Sequence, residues 1–160
     1  MSYIHPTAII YPNVKIGKDI YIGAYCIIGA PAESKKHWNE IGKGVIISDG
    51  AIINGHCTID AGTEIPTRIG EKTFIMKGVH IGHDACVEDG ATLSPHVVIG
   101  GHSIVGENTN MGIASVVHQR VTIPSGCMIG MNSTVTKKTV MEENNCYIGN
   151  PAKWLRQNIR

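Results

Sequence analysis

The sequence predicts an all-β fold, a solenoid of short parallel strands wound three to a coil. Three observations indicate this fold. An aliphatic residue recurs every six positions along nearly the whole chain, a small or β-branched residue stands two places before it, and glycine often follows it. A short, regular period is typical of units that cannot bury an apolar face alone and therefore stack on their neighbours.

The two repeating positions predict two inward-facing columns of side chains. The aliphatic column contains Ile4, Ile10, Ile16, Ile22, Ile28, Ile41, Ile47, Ile53, Ile59, Ile65, Ile69, Ile75, Ile81, Val87, Leu93, Ile99, Val105, Met111, Val117, Ile123, Ile129 and Val135. At about 100° per residue these positions would spiral around a helix instead of lining one face, so the pattern excludes a helix. No alternation of long strands with Asn-Gly turns indicates hairpins. Roughly 21 units give about seven coils, a prism on the order of 30 Å tall at the usual strand spacing.

The period is interrupted at two places. The polar stretch GAPAESKKHWNE predicts a loop at Ala30–Glu40, extruded from one corner of the solenoid. Long loops in compact domains are often functional, although a tolerated surface insertion explains this one equally well. Trp38 on the loop is either a flap over a ligand or an anchor on a neighbouring subunit. At Ile65–Arg68 the frame slips by two residues, so a local bulge can aim Arg68 outward, as a phosphate ligand or a solvated side chain.

The repeat fades toward the C-terminus, which divides the chain into a solenoid domain at 1–149 and a cap at 150–160. The Asn150–Pro151 pair favours the start of a helix, since asparagine is a good N-cap and proline a good first helical residue. We therefore expect a short helix over 152–159 that covers the last coil, where an open strand edge would invite unwanted pairing. Lys153 on that helix is a further candidate ligand for a cofactor phosphate.

Composition excludes several classes of partner. The formal net charge is +1, so no strong field points to nucleic acid or to a membrane surface. No apolar run is long enough to cross a bilayer, and the N-terminus does not resemble a signal peptide, so we expect a cytoplasmic protein. Five cysteines without a CxxC pair fit small core residues in a reducing compartment. They are Cys26, Cys57, Cys127 and Cys146 at the small inward position and Cys86 just before an aliphatic position.

Three of the eight histidines indicate a functional site. His83, His102 and His118 lie in units spaced 18 residues apart, so three units per coil bring them to one corner. His118 also takes the place after an aliphatic residue where glycine is usual, and His80 lies on the same coil as His83. We expect the chemistry of the protein at this corner.

Two kinds of chemistry fit such a set of imidazoles. In the first, His83 is a general base, because the neighbouring Asp84 can fix its tautomer and raise its basicity. The base would deprotonate an amine or hydroxyl that attacks a thioester, and the backbone N–H of Gly101 is a candidate donor to the oxyanion. In the second, three histidines hold zinc and leave a fourth position open for water.

Four motifs resemble those of a known family. HIGHD at 80–84, GGH at 100–102 and VHQ at 117–119, together with PTRIG at 66–70, resemble motifs of the UDP-N-acetylglucosamine O-acyltransferases of lipid A synthesis and of related bacterial sugar N-acetyltransferases. These are hexapeptide-repeat transferases. The resemblance implies a left-handed parallel β-helix, although general rules favour right-handed crossovers. It also implies a homotrimer with its active site in the cleft between adjacent subunits.

The resemblance also implies roles for individual residues. His83 would be the general base, Asp84 its partner, and the Gly101 amide would face the oxyanion. The substrate site would be lined by His80, His102, His118 and Gln119, to which we add Arg68 as the phosphate candidate.

Two departures from the lipid A enzymes favour a short acyl donor, acetyl-CoA, over an acyl carrier protein. Those enzymes have a long C-terminal helical region, whereas the segment Gly149–Lys153 resembles the end of the short acetyltransferases. Met131 stands where long-chain members have glycine, so its side chain should shorten an acyl pocket. Contacts with CoA are expected from Gly112, Ala114, Met131, Lys137 or Lys138, and Lys153.

The sequence therefore predicts an acyltransferase that moves a short acyl group from CoA to an amine or hydroxyl of a sugar, nucleotide-linked by resemblance, without a metal. Three alternatives stay open: a sugar O-acyltransferase that uses a longer-chain acyl carrier protein, a metal-dependent hydratase like the hexapeptide-repeat carbonic anhydrases, and a noncatalytic scaffold. The hydratase pattern is incomplete, since the residue five places after His118 is Ile123 instead of a histidine. Neither the sugar nor the choice between amine and hydroxyl follows from the sequence.

Overall fold

The structure, a computed structural model, describes residues 1–159 as an all-β solenoid. Its 22 strands form three sheets in which successive coils pair in parallel, as expected, and the arrangement is consistent with a left-handed β-helix. The solenoid has about eight turns, one more than the sequence period indicated. Within the described residues there is no helix of the length and apolar character that crossing a membrane requires.

Each sheet takes one strand from each coil. Sheet one contains β1 (Tyr3–Ile4), β4 (Tyr21–Ile22), β7 (Ile52–Ile53), β10 (Phe74–Ile75), β13 (Thr92–Leu93), β16 (Asn110–Met111), β19 (Met128–Ile129), β21 (Asn145–Ile148) and β22 (Lys153–Gln157). Sheet two contains β2 (Ile9–Ile10), β5 (Ile27–Ala30), β8 (Thr58–Asp60), β11 (His80–Ile81), β14 (Val98–Ile99), β17 (Val116–Val117) and β20 (Thr134–Val135). Sheet three contains β3 (Val14–Ile16), β6 (Val45–Ile47), β9 (Thr67–Ile69), β12 (Cys86–Val87), β15 (Ile104–Val105) and β18 (Thr122–Ile123).

The predicted aliphatic column forms the core of the solenoid. Ile81 pairs in register with Ile99, and Ile99 pairs with Val117, so an uninterrupted coil repeats every 18 residues. From Ile47 to Val135 the predicted aliphatic positions are at most 1% exposed, with the exception of Ile65. Burying each such side chain contributes about 1.5–3 kcal/mol, so the stacked column is the main source of stability.

Two members of that column were predicted wrongly. Ile41 and Ile65 are 66% and 55% exposed, because both lie on insertions instead of strands. Ile28 pairs with Ile59, 31 positions later, and the excursion occupies residues 31–44, which continues past the predicted end at Glu40. Ile59 pairs with Ile81, 22 positions later, so this coil is also longer than 18 residues. An aliphatic residue on an insertion cannot be told from a core residue by spacing alone.

The predicted C-terminal helix is also wrong. Residues 153–157 form β22, which pairs antiparallel with β21. Trp154 Nε1 donates to Asn145 Oδ1 over 3.1 Å, and the Asn158 amide nitrogen donates to Gly126 O. A strand satisfies the backbone groups at the free edge of β21, which a helix cannot do, and this outweighs the local helix signals around Pro151.

One corner of the solenoid carries both insertions that interrupt the sequence period. We call it the second corner, and define it as the segments that lead from sheet two to sheet three: 11–13, 31–44, 61–66, 82–85, 100–103 and 118–121. The two insertions are joined there, since Lys43 N donates to Gly62 O over 2.7 Å and Gly62 N donates to Gly44 O over 3.0 Å. The histidines of interest lie on the coils that follow.

Candidate active site

The second corner brings the side chains of His83 and His102 into contact. Their rings meet edge to face with centroids 5.0 Å apart, and His102 N donates to His83 O over 2.9 Å. Asp84 and His102 occupy equivalent turn positions with φ of 60° and 57°. Aspartate and histidine enter this left-handed region more readily than β-branched residues, so the turn geometry itself is compatible with these residue types.

The inserted segment after β8 holds the carboxylate of Asp84. Its Oδ2 accepts hydrogen bonds from Thr63 N and Thr63 Oγ1 at 2.9 and 2.8 Å, and its Oδ1 accepts from Glu64 N and Ile65 N at 2.7 and 2.8 Å. Burial by itself raises the pKa of this carboxyl, but the donors from Ile65, Thr63, His83 and Glu64 outweigh it and hold the pKa well below its usual range. Asp84 is therefore a fixed negative charge.

His83 is oriented by that charge. Its Nδ1 lies 2.7 Å from Asp84 Oδ2, and because the ionised carboxylate can only accept, Nδ1 carries the proton. In the neutral ring Nε2 is then the nitrogen with a free lone pair. The side chain is 20% exposed, so Nε2 is sheltered but open to a ligand. This arrangement is suited to general-base catalysis.

The same residues form a potential metal-binding cluster. Single ligand atoms of His83, Asp84 and His102 lie within 4.8 Å of one another. His102 Nε2 is 3.7 Å from Asp84 Oδ2, too long for a hydrogen bond. Both oxygens of Asp84 already accept from the inserted segment, however, so a metal would compete with four existing donors. That the protein requires no metal stays a prediction.

Gly101 lies directly against the reactive face of His83. A Cβ at this position would be 2.9 Å from His83 Nε2 and 3.1 Å from Cε1, closer than a side chain tolerates. Only glycine therefore leaves Nε2 accessible. The Gly101 N–H donates no hydrogen bond to any acceptor within residues 1–159, so it is available to a ligand, as the oxyanion role requires.

A cavity of about 300 Å³ opens in front of the two rings. It is lined by Ser34, Lys36, His37, Thr63, Glu64, His83, His102, Gln119 and Arg120. The long loop therefore contributes to the wall of the cavity. Cationic and imidazole groups outnumber the single carboxylate of Glu64, so the cavity favours an anionic ligand. Trp38 does not line it and is 68% exposed, which leaves its role as a subunit anchor a prediction.

The sequence reasoning missed one buried carboxylate beside this site. Asp60 is 5% exposed, and its Oδ2 lies 3.9 Å from His80 Nε2. The opposite nitrogen of His80, Nδ1, lies 2.8 Å from Thr58 Oγ1. A signal for Asp60 was present, since it follows the aliphatic Ile59 at the place where glycine is usual. His118 stands at the equivalent place after Val117.

Three predicted substrate ligands, His80, His118 and Arg68, do not line the cavity of a single chain. His118 is on the second corner one coil beyond His102, but it is exposed and its Nδ1 donates to Gln119 O over 3.0 Å. Arg68 lies on β9 of sheet three and is exposed, in register with Cys86. Arg68 is thus exposed next to the frame slip, while the inserted residues just before it hold Asp84. Arg120 and the loop side chains at 34–37 line the cavity without having been predicted.

The predicted cofactor ligands occupy two other regions. Gly112, Ala114 and Met131 lie on the turns from sheet one to sheet two, which we call the first corner, and Met131 is 69% exposed. Lys137 lies on the segment that leads from β20 to β21. Lys153 begins β22 and, with Lys138, lines a separate cavity of about 250 Å³.

Comparison with known sequences identifies relatives of the chain. The family model described as bacterial transferase hexapeptide (six repeats) matches residues 1–33 and 66–101. An acyl-[acyl-carrier-protein]–UDP-N-acetylglucosamine O-acyltransferase of Campylobacter curvus is 33% identical over 92% of this chain and 73% of its own length. The enzyme of that name from Campylobacter concisus is 31% identical over 85% of this chain and 55% of its own length. The chain thus spans about half the length of some curated relatives, 55% and 46% in two of them.

Solved structures with the same fold agree with these relatives. The UDP-N-acetylglucosamine O-acyltransferase of Moraxella catarrhalis superposes with a TM-score of 0.78 at 30% identity, over 97% of this chain and 74% of that one. PerB of Caulobacter crescentus, solved in complex with CoA and GDP-perosamine, has a TM-score of 0.57 at 21% identity, over 96% of this chain and 56% of its own. At that identity the second likeness concerns the fold alone.

Proposed function

This chain belongs to the hexapeptide-repeat acyltransferase family that includes the UDP-N-acetylglucosamine O-acyltransferases, and from that premise we propose that it transfers a short acyl group from a CoA thioester to a nucleotide-linked sugar. The observation that carries the proposal is the His83–Asp84 pair. A hydrogen bond of 2.7 Å to Asp84 fixes the tautomer of His83, and the His83 side chain lines a cavity. A general base needs both features.

The reaction follows from the placement of three groups. His83 Nε2 takes the proton from an amine or hydroxyl of the sugar as its nitrogen or oxygen attacks the thioester carbonyl. The Gly101 N–H donates to the oxyanion of the tetrahedral intermediate. When the intermediate collapses, the C–S bond breaks and the thiolate leaves with the proton that His83 had taken. Asp84 stabilises the imidazolium between the two transfers.

The anionic preference of the cavity supports a nucleotide-linked acceptor. A nucleotide sugar carries a diphosphate, and the rim offers Lys36 from the loop and Arg120 from the solenoid. Among the relatives, the enzymes named above are acyltransferases of UDP-N-acetylglucosamine. We assign His80, His102 and Gln119 to the acceptor, with His118 and Arg68 as outer contacts.

We further propose that the working enzyme is a homotrimer. The first and second corners lie at opposite ends of the strands of sheet two. The first corner carries Gly112, Ala114 and Met131, and the second carries His83. A donor bound along the first corner can reach His83 only if the two corners belong to adjacent subunits. Met131 would then close the acyl pocket, and Lys137 and Lys153 would meet phosphates of CoA.

A second candidate donor is an acyl carrier protein. The names of the relatives favour it, since they specify that donor. The side chain of Met131 favours acetyl-CoA, because a bulky residue at the end of an acyl pocket excludes long chains. The acceptor chemistry at His83 is the same in either case.

A thioester-release assay tests the proposal. Acetyl-CoA, longer acyl-CoA thioesters and acyl-loaded carrier protein would each be paired with UDP-N-acetylglucosamine and with GDP-perosamine, and the free thiol measured. We expect release to accelerate with one nucleotide sugar and the shortest donor, and to persist after dialysis against a chelator. Thiol release that no acceptor accelerates would contradict acyl transfer. Thiol release that the chelator abolishes and zinc restores would contradict acyl transfer without a metal.

A further inference from the structure

Two carboxylates, Asp84 at the second corner and Asp60 at the end of β8 beside it, lie one coil apart in opposite environments. Asp84 accepts four hydrogen bonds of 2.7–2.9 Å from the inserted segment as well as the bond from His83. Asp60 is equally buried, at 5% exposure, but within residues 1–159 its side chain accepts only one bond, from Glu33 N at the limiting distance of 3.5 Å. Burial raises the pKa of Asp60, although His80 and the Glu33 N–H oppose the shift.

An under-bonded buried carboxylate is costly, because its desolvation is not compensated by donors. The neighbouring coils show that the fold does not require a carboxylate at this position. Ile59 pairs with Ile81, so Asp60 lies beside Gly82, and the next coil has Gly100 at the same place. Glycine therefore serves this turn position on the next two coils. The carboxylate of Asp60 must contribute something other than turn geometry.

The distance between Asp60 and His80 leaves room for one small donor. His80 Nε2 and Asp60 Oδ2 are 3.9 Å apart, too far for a hydrogen bond but close enough for a single nitrogen or oxygen atom to bridge them. His83 follows Gly82 in the chain, so the general base is on the adjacent coil, about 4.8 Å away along the stack. A ligand atom that bridges Asp60 and His80 is therefore next to the group that removes its proton.

We propose that Asp60, supported by His80, binds the attacking nitrogen of an amino sugar and makes the enzyme selective for amine acceptors over hydroxyl acceptors; this inference rests on the acyl transfer proposed above. A hydroxyl has one proton, and His83 must receive it, so none is left for a second acceptor. An amine has at least two protons, one for His83 and one that Asp60 can hold. A carboxylate beside the base therefore favours an amine, because it can accept the second proton of the amine. A hydroxyl acceptor would place an oxygen lone pair against a lone pair of Asp60 with no proton between them.

The test compares two acceptors that differ at one atom. UDP-N-acetylglucosamine and its analogue with an amine in place of the acceptor hydroxyl would be assayed with the wild type, Asp60→Asn and Glu33→Gln. We expect the wild type to favour the amine by at least about tenfold in kcat/KM. Asp60→Asn should lower kcat/KM for the amine about 10–100-fold, mainly through KM, as expected for loss of a hydrogen bond to a charged group. It should change the hydroxyl acceptor less than about threefold.

Glu33→Gln is the matched charge control. Glu33 is exposed on the loop beside Asp60; its backbone N–H contacts that carboxylate, and its own charge acts on Asp60 only through space. This variant should keep the wild-type preference. An unchanged amine-to-hydroxyl ratio in Asp60→Asn, or a wild type that favours the hydroxyl, would overturn the proposal. If Asp60→Asn does not fold, Asp60→Gly reproduces the residue found at Gly82 and Gly100 and replaces it in the comparison.

Calorimetry without an acyl donor separates this inference from the proposed function. If neither acceptor is acylated, or if His83→Ala is as active as the wild type, acyl transfer by His83 is wrong. Binding of the two acceptors can still be measured. Tighter binding of the amine that Asp60→Asn abolishes supports the subsite on its own, and equal binding of the two acceptors to the wild type refutes it.

Discussion

His83 donates its Nδ1–H to Asp84 Oδ2 over 2.7 Å, and through this contact the proposed base is connected to the segment that interrupts the sequence period. The inserted residues before β9 supply four donors to the same carboxylate, including both polar groups of Thr63. The insertion thus positions a side chain on the next coil. Since a buried carboxylate held this way cannot turn, the His83 ring is also confined to one orientation.

Replacing His83 with alanine should reduce turnover about 10²–10⁴-fold, the usual range for loss of a general base, with little change in the fold. The measurement is steady-state thiol release at saturating acceptor, together with the thermal unfolding midpoint. His5→Ala is the control, because His5 is half-buried near the N-terminus, away from the second corner, and bonds locally to Thr7. A His83→Ala enzyme that retains full turnover would exclude His83 as the base.

The hydrogen bonds to Asp84 should make stability depend on pH. The pKa of this carboxyl is lowered in the folded state, so its contribution is fully present above the unfolded value of about 3.9 and is lost as the pH falls below it. Asp84→Asn should cost about 1–3 kcal/mol at neutral pH, because an amide nitrogen cannot accept from the backbone donors.

Urea unfolding between pH 3 and pH 7 checks this expectation. The wild type should lose stability on acidification more steeply than Asp84→Asn. Asp49→Asn is a suitable comparison, since Asp49 Oδ1 accepts from Lys18 N at another corner and bears no relation to His83. Parallel pH profiles for the wild type and Asp84→Asn would show that Asp84 contributes no titratable stability.

The sequence period predicted the stacking and, with it, the meeting of His83 and His102. This was possible because an 18-residue coil converts spacing into position directly. The same logic failed at Ile41 and Ile65, where an aliphatic residue on an insertion happened to fit the rhythm. Spacing can show that an insertion exists. Which side chain the insertion contacts depends on the three-dimensional fold.

The C-terminal segment shows a different limit. Asparagine before Pro151 is a local helix signal, yet residues 153–157 pair with β21. The edge of a sheet offers a row of unpaired backbone groups, and satisfying them outweighs capping preferences. Asp60 was missed for a third reason. Its place after the aliphatic Ile59 is visible in the sequence, but the hydrogen-bond donors that its carboxylate lacks are not.

Met131 should set the length of the acyl chain. Met131→Gly opens the end of the proposed acyl pocket and should raise kcat/KM for donors of ten or more carbons, by about 10-fold or more for several added methylenes. Met131→Leu keeps the volume and should retain the preference for acetyl-CoA. Competition between acyl-CoA thioesters of different length measures the preference. If Met131→Gly selects the same donor as the wild type, this residue does not bound the pocket.

Gly101→Ala should inactivate the enzyme by crowding His83. The added Cβ would lie 2.9 Å from Nε2, so the ring must turn away from Asp84 or the proton must reach it past a methyl group. We expect turnover to fall at least about 10²-fold, as for loss of proton transfer, and stability to fall about 1–3 kcal/mol from overpacking.

A double-mutant cycle with His83→Ala isolates the contact. In the His83→Ala background the alanine at 101 meets no imidazole, so turnover should fall no further and the loss of stability should largely disappear. Full additivity of the two losses of turnover would mean that Gly101 acts independently of the base, through its N–H alone.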